Sequence, residues 1–183
     1  MGAVITVIAT AFRNRVPPVG RRVEITPVFK HSIDGAEIVS TVTITEKGQD
    51  FKFDTLYLAE INLVNKSNKD FEKFTFGVTL AKNDLAILAV GKSTDRHHEV
   101  SATVSPSPAA PRNAVDFTVA PFNQADTYSI SLYIVARAGT EPGEVLVSSR
   151  EPVEFVDAPS MSELLGRVAA EVAIGGLKIT FPR

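Results

Sequence analysis

The chain has 183 residues, 44% of them hydrophobic and 22% charged, with a formal net charge of −2. That length suits one domain with a sizeable core, and the composition excludes wholesale disorder. The near-neutral balance supplies no global field for nucleic acid or anionic lipid, and the lack of cysteine excludes disulfides, thiolate metal sites and cysteine nucleophiles.

In chain order, the first expected strand covers residues 4–12, where Val4, Thr6, Ile8, Thr10 and Phe12 alternate with their neighbours. The apolar stretch there falls short of the roughly 20 residues a membrane helix needs, and no basic region precedes it as in a signal peptide. Without a signal peptide, a membrane helix or cysteine, the expected compartment is the cytoplasm. Arg13, Arg15, Arg21 and Arg22 read as solvated loop charges.

Further strands are expected over 22–29, 38–46, 56–64, 73–80, 85–90, 99–104, 114–120, 127–136 and 144–149, with a shorter one over 153–156. Turn signals separate them: Pro17-Pro18, Asp34-Gly35, Lys47-Gly48, Asn83-Asp84, the proline-rich stretch 105–111 and Glu141-Pro142-Gly143. The clearest pattern is Tyr57, Ala59, Ile61 and Leu63, followed after the polar run 65–70 by Phe74, Phe76, Val78 and Leu80. These read as two antiparallel strands burying a shared face. Tyr128, Ile130, Leu132 and Ile134 form a second inward set, with Ser129, Ser131 and Tyr133 outward. A register slip of one residue would exchange Ile and Leu for Ser, so the pairing is strongly specified.

The tail changes period. Ser160 and Glu163 have capping-box spacing, Met161, Leu164, Leu165, Val168, Ala169 and Val172 form a helical apolar stripe, and Gly175-Gly176 ends it. Leu177, Ile179 and Phe181 then alternate as a short strand. The expected organisation is a β-sandwich domain over 1–157, with 158–183 packed on it or on a partner. The fold class is all-β: an immunoglobulin-like or jelly-roll-like β-sandwich of about 8–10 strands with a C-terminal amphipathic helix.

Signs of catalysis are few. No Gly-x-Ser-x-Gly elbow, Walker-type loop or Gly-x-Gly-x-x-Gly occurs, and no cofactor is implied. The densest polar cluster contains Arg96, His97 and His98; on a strand the two imidazoles would point to opposite faces, so a solvated turn is expected rather than a metal site. Asp50, Asp54, Glu60 and Asp70 are carboxylates that a hydrolase would need to converge. Asn65-Lys66-Ser67 fits a glycosylation triplet, but Asn65 reads as a loop residue that bonds its own turn. The candidate binding residues are Asn65, Asn68 and Asp70 on one loop, Arg96, His97 and His98 in the polar cluster, and outward Tyr133.

The segment 56–71, with a strand ending in Asn65 and Asp70-Phe71 introducing the next, resembles one found in a diffuse group of uncharacterised bacterial β-sandwich domains. Asn123-Gln124-Ala125-Asp126 is similar to that group's Asn-x-x-Asp turn into a strand, and 42–47 with Gly48 to its earlier hairpin. The resemblance spans roughly residues 22–156 and implies the fold and a bacterial origin without an agreed activity. The group often lies beside membrane helices, and this chain shows none.

The reading that follows is a non-enzymatic protein-interaction module recognising another protein or its own copy as a homo-oligomer. Alternatives are a structural shell or coat-type subunit using residues 1–20 and 161–183 as arms, and a sandwich-fold hydrolase or carbohydrate-binding module.

Overall fold

The computed structural model describes residues 16–28, 32–33, 36–37, 41–93, 96–136 and 140–159. The strand expected over 4–12, and the helix and short strand expected beyond Pro159, lie outside the described residues.

The described residues form β1 (Pro18–Pro27), β2 (Ser32–Ile33), β3 (Ala36–Glu37), β4 (Val42–Glu46), β5 (Gln49–Phe53), β6 (Tyr57–Asn65) and β7 (Phe74–Thr79). They continue with β8 (Leu85–Ser93), β9 (Glu99–Ala102), β10 (Ala114–Ala120), β11 (Thr127–Val135), β12 (Leu146–Ser149) and β13 (Glu154–Asp157). A five-stranded sheet has the order β13-β1-β6-β11-β8, and a four-stranded sheet the order β12-β7-β10-β9. Two small hairpins, β2-β3 and β4-β5, stand outside both sheets. The fold is an all-β sandwich, and no helix among the described residues is long and apolar enough to cross a membrane.

The core follows from strand parity. Ala59, Ile61 and Leu63 of β6 and Tyr128, Ile130, Leu132 and Ile134 of β11 are all fully buried. Phe74, Phe76 and Val78 of β7 and Val115, Phe117 and Val119 of β10 meet them from the other sheet. One sheet thus contributes mainly aliphatic side chains and the other a mixture of phenylalanine and valine. Phe76 stacks on Phe117 at 5.6 Å and on Phe74 at 6.0 Å, and Phe74 lies 5.1 Å from Phe122. Such ring pairs each add about 0.5–1.5 kcal/mol beyond the area they bury.

One expectation is corrected. The runs at 57–63 and 74–80 do bury a shared core, but they do not pair. β6 belongs to the five-stranded sheet between β1 and β11, whereas β7 pairs with β10 and β12. The connection after Asn65 carries the chain across the sandwich rather than folding it back as a hairpin. Two strands with one apolar face each satisfy the same pattern by facing each other across a core.

Smaller departures have local causes. β1 begins at Pro18, where a strand-first proline loses no needed donor; its carbonyl still accepts from the Lys66 amide at 3.2 Å. β5 carries only Phe51 and Phe53 as apolar signals, and its pairing with β4 rests on the Lys47-Gly48 turn. Both turn residues have positive φ, 50° and 81°, as the tight turn of a two-residue hairpin requires.

Truncating Phe76 to Ala should lower unfolding free energy by about 3–5 kcal/mol, and Ile130→Asp should prevent folding because the carboxylate would be buried unpaired. Urea denaturation followed by circular dichroism checks both; near-wild-type transitions would place these side chains on the solvent side.

Candidate functional site

Two regions bring the sequence-expected residues together: one end of the sandwich, and the outer face of the five-stranded sheet.

At the end of the sandwich, Asn65 closes β6 on the inward parity set by Ile61 and Leu63, and it is 1% exposed. Its Nδ2 donates to the Lys69 carbonyl at 2.8 Å and to the Phe122 carbonyl at 2.9 Å. Its Oδ1 accepts from the Ser67 amide at 3.0 Å and the Ser67 hydroxyl at 2.6 Å. Both of its side-chain polar atoms are engaged, in three bonds within its own turn and one across the fold. The backbone repeats the link: Asn65 N donates to Asp126 O at 3.1 Å, Ala125 N to Asn65 O at 2.9 Å, and Phe71 and Phe122 exchange amide bonds.

The turn after β10 is held with equal care. The Asn123 amide donates to Asp126 Oδ2 at 2.7 Å, and the Gln124 amide to Asp70 Oδ1 at 2.8 Å. The Tyr128 hydroxyl donates to the Pro121 carbonyl, so the ring that fills the core is also tied to the turn above it. Asn68 is exposed on the loop between.

The two histidines part, although both precede β9 and neither lies on a strand. His97 is exposed, and its Nε2 accepts from Arg96 Nε at 3.1 Å. His98 departs from the expected solvated turn: its ring stacks on Tyr128 at 5.5 Å, and its Nε2 lies 3.6 Å from Asp126 Oδ2. Among the described residues no group of three or more His, Asp or Glu side chains is arranged to hold a metal ion.

The carboxylates singled out above are dispersed. Asp50 accepts from the Thr45 hydroxyl at 2.7 Å and Asp54 from the Thr41 hydroxyl at 3.0 Å, both on the β4-β5 hairpin. Asp70 is at the opposite end of β6 from that hairpin, and Glu60 is exposed on the sheet between them.

The outer face of the five-stranded sheet is different. Register places Leu58, Tyr133 and Leu88 in one row across β6, β11 and β8. The next row is Glu60, Ser131 and Val90, and the next is Asn62, Ser129 and Lys92. Val135 and Leu85 form a further pair beyond Tyr133. Leu85, Leu88 and Val90 are 38%, 41% and 36% exposed, and Tyr133 is half-buried among them. The three aliphatic residues lie on β8, an edge strand of the sheet, and Tyr133 on its neighbour β11. A bulge in β8 opposite Tyr133 and Ile134 turns Ala86 and Ile87 into the interior and Leu88 out.

No protein-family model matches this chain, and no curated protein is significantly similar to it.

The opposite outer face, on the four-stranded sheet, is rich in hydroxyls. Thr75 and Thr118 lie 3.2 Å apart, and a groove of about 430 Å³ is lined by Thr75, Thr103, Asp116, Ser148 and Arg150. Asp116 is its one carboxylate. The sandwich therefore has one hydroxylated face and one with an apolar end.

Of the expected residues, Asn65, Asp70 and His98 are brought to one corner, where their bonds hold the fold. Tyr133 faces outward as expected. Its neighbours Leu58, Leu85, Leu88 and Val90 were missed, although the unbroken apolar run 85–90 carries the signal. Such a run on a strand covered on one side only must expose part of itself.

Asn65→Ala should cost about 2–4 kcal/mol, because it removes four hydrogen bonds from a buried corner, including the one the Ser67 amide makes. His97→Ala should leave the melting temperature unchanged, while His98→Ala should lose about 1 kcal/mol of ring stacking. Thermal melts of the three variants check this, and equal effects of the two histidine changes would contradict it.

Proposed function

We propose that this protein is a non-enzymatic interaction module, an immunoglobulin-like sandwich that binds a protein partner or another copy of itself. The observation that carries the reading is the apolar cluster of Leu85, Leu88 and Val90 on the edge strand β8 with Tyr133 beside them on β11. Soluble proteins blunt exposed edges with charge, proline or cover, and contiguous exposed apolar surface commonly marks a binding site. Isolated exposed residues such as Val104 and Leu146 need no such explanation.

Two features support the immunoglobulin-like description. From β7 to β11 the chain crosses between sheets three times, with β7, β9 and β10 in one and β8 and β11 in the other. This is the arrangement of strands B to F in immunoglobulin domains. Tyr128, at the start of the F-like strand, bonds back to the upstream carbonyl of Pro121, as a tyrosine corner does. Such scaffolds hold their binding groups on a rigid frame, and here an extended or helical apolar segment of the partner would meet Leu88 and Tyr133.

The variant Leu88→Glu/Val90→Glu tests the proposal, since both positions are exposed and the fold should keep its stability to within about 0.5 kcal/mol. Sedimentation velocity over a concentration series reports self-association, and affinity capture with mass spectrometry reports other partners. The proposal expects the wild type to associate and the variant to lose at least about tenfold in affinity, about 1.4 kcal/mol. Equal binding by both proteins, or no binding by the wild type, would contradict it.

A further inference from the structure

We propose that the stretch of β1 from Val23 to Ile25 is a docking edge for an extended segment of a protein partner, one whose alternating apolar residues are flanked by lysine or arginine. This edge lies on the other side of the sheet from β8, and it is independent of the cluster that carries the proposed function.

β13 covers only the first part of its neighbour. The two strands pair in parallel from Pro18 with Glu154 to Arg21 with Asp157. The Glu154 amide donates to the Pro17 carbonyl at 3.0 Å, and the Ala158 amide to the Arg21 carbonyl at 2.7 Å, the last such bond. Backbone groups two residues apart on a strand point to the same side. The N–H and C=O groups of Val23 and Ile25 therefore point where β13 has ended, away from β6. Among the described residues nothing pairs with them there.

The side chains beside this edge suit an added strand. Val23 and Ile25 stand opposite Ile61 and Ala59 on the inward parity of Val19, yet both are only half-buried. Two depressions meet at Ile25. One, of about 300 Å³, is walled by Val23, Ile25 and Val145, and the other, of about 120 Å³, by Ile25, Pro27 and Tyr57. Their walls repeat at the two-residue spacing of a strand, about 7 Å. A segment that bonds the backbone of Val23 and Ile25 thus sends one side chain into each depression, the bulkier into the larger. In strand addition of this kind, main-chain bonds supply affinity and pockets for alternate side chains supply specificity. Pro27 has no N–H to offer, so the docked strand is short.

Charge selects the flanks. Arg21 lies 3.7 Å from Asp157 and is thereby matched. Glu144 borders the larger depression and Glu141 the smaller. Both are exposed, and neither makes an ion pair among the described residues. Basic residues at the ends of the segment meet these carboxylates, whereas acidic ones are repelled.

A display library of short random peptides, selected against the full chain, is the probe. The proposal expects selected peptides to carry alternating apolar residues between basic ones. Their binding should weaken at least about tenfold in Glu141→Lys/Glu144→Lys, through lost charge complementarity. It should weaken as much in Val23→Pro, whose ring blocks the edge while the N–H it removes pairs with nothing in the fold. Thermal melts check that each variant folds; the exposed glutamates carry the test where Val23→Pro does not fold. Residue-resolved hydrogen exchange reads the binding mode, and the amides of Val23 and Ile25 should slow at least about tenfold at saturating peptide. No selected peptide, binding that survives the glutamate reversal, or unchanged exchange at Val23 and Ile25 would each overturn the proposal. The variant Leu88→Glu/Val90→Glu separates this edge from the β8 surface. Peptide binding should be intact in it, and peptides that it alone fails to bind would overturn the proposal in favour of β8.

Discussion

The interleaving of two inner faces, one mainly aliphatic and one mixing phenylalanine with valine, is the constraint on which the rest of the molecule depends. Ile61, Leu63, Ile130 and Leu132 share one core with Phe74, Phe76 and Phe117 in the observed registers. A slip of one residue on β11 would replace Tyr128, Ile130 and Leu132 at the core with Ser129, Ser131 and Tyr133. The core therefore selects both sheets at once. It also decides which residues are left outside, and so where binding surfaces can arise.

The Asn65 corner closes this core at one end. Its side chain joins the loop after β6 to the turn before β11, and Tyr128 joins that turn to the core through its hydroxyl. Burial strengthens these bonds and makes their loss expensive, since an unpaired amide or carbonyl there has no water to turn to. A loop whose polar groups face inward in this way positions the strands and leaves little free chemistry for a ligand. The outward surface of β8 has the opposite character, with side chains that no described residue covers fully and an edge that ends the sheet.

Much of the fold was legible in the sequence, because strand parity is a local signal. The span of β10 matches the expectation residue for residue, and the four inward residues of β11 are those the alternation marks. The local half of the Asn65 corner was legible too, as an asparagine bonding its own turn. Its other half was not, because Phe122 lies 57 residues away and nothing local announces that meeting. The same limit explains β6 and β7. Alternation says which side of a strand is buried but not whether its neighbour pairs beside it or faces it. β5 was missed because Gln49, Asp50 and Lys52 dilute its pattern, and pairing with β4 supplies what the residues themselves lack. The exposed row on β8 was hidden for the opposite reason: a run with no polar residue looks buried on both faces, and only the sheet order reveals an edge.

These features describe a molecule with a rigid interior, one hydroxylated face and one face with an apolar end. Hydrogen exchange of the full chain, resolved by residue, tests this organisation most directly. The account predicts that amides of β6 and β11 at the centre of the five-stranded sheet exchange slowest, near the rate of global unfolding, while the β4-β5 hairpin outside both sheets exchanges much faster. A hairpin as protected as β11, or rapid exchange in β6, would contradict it.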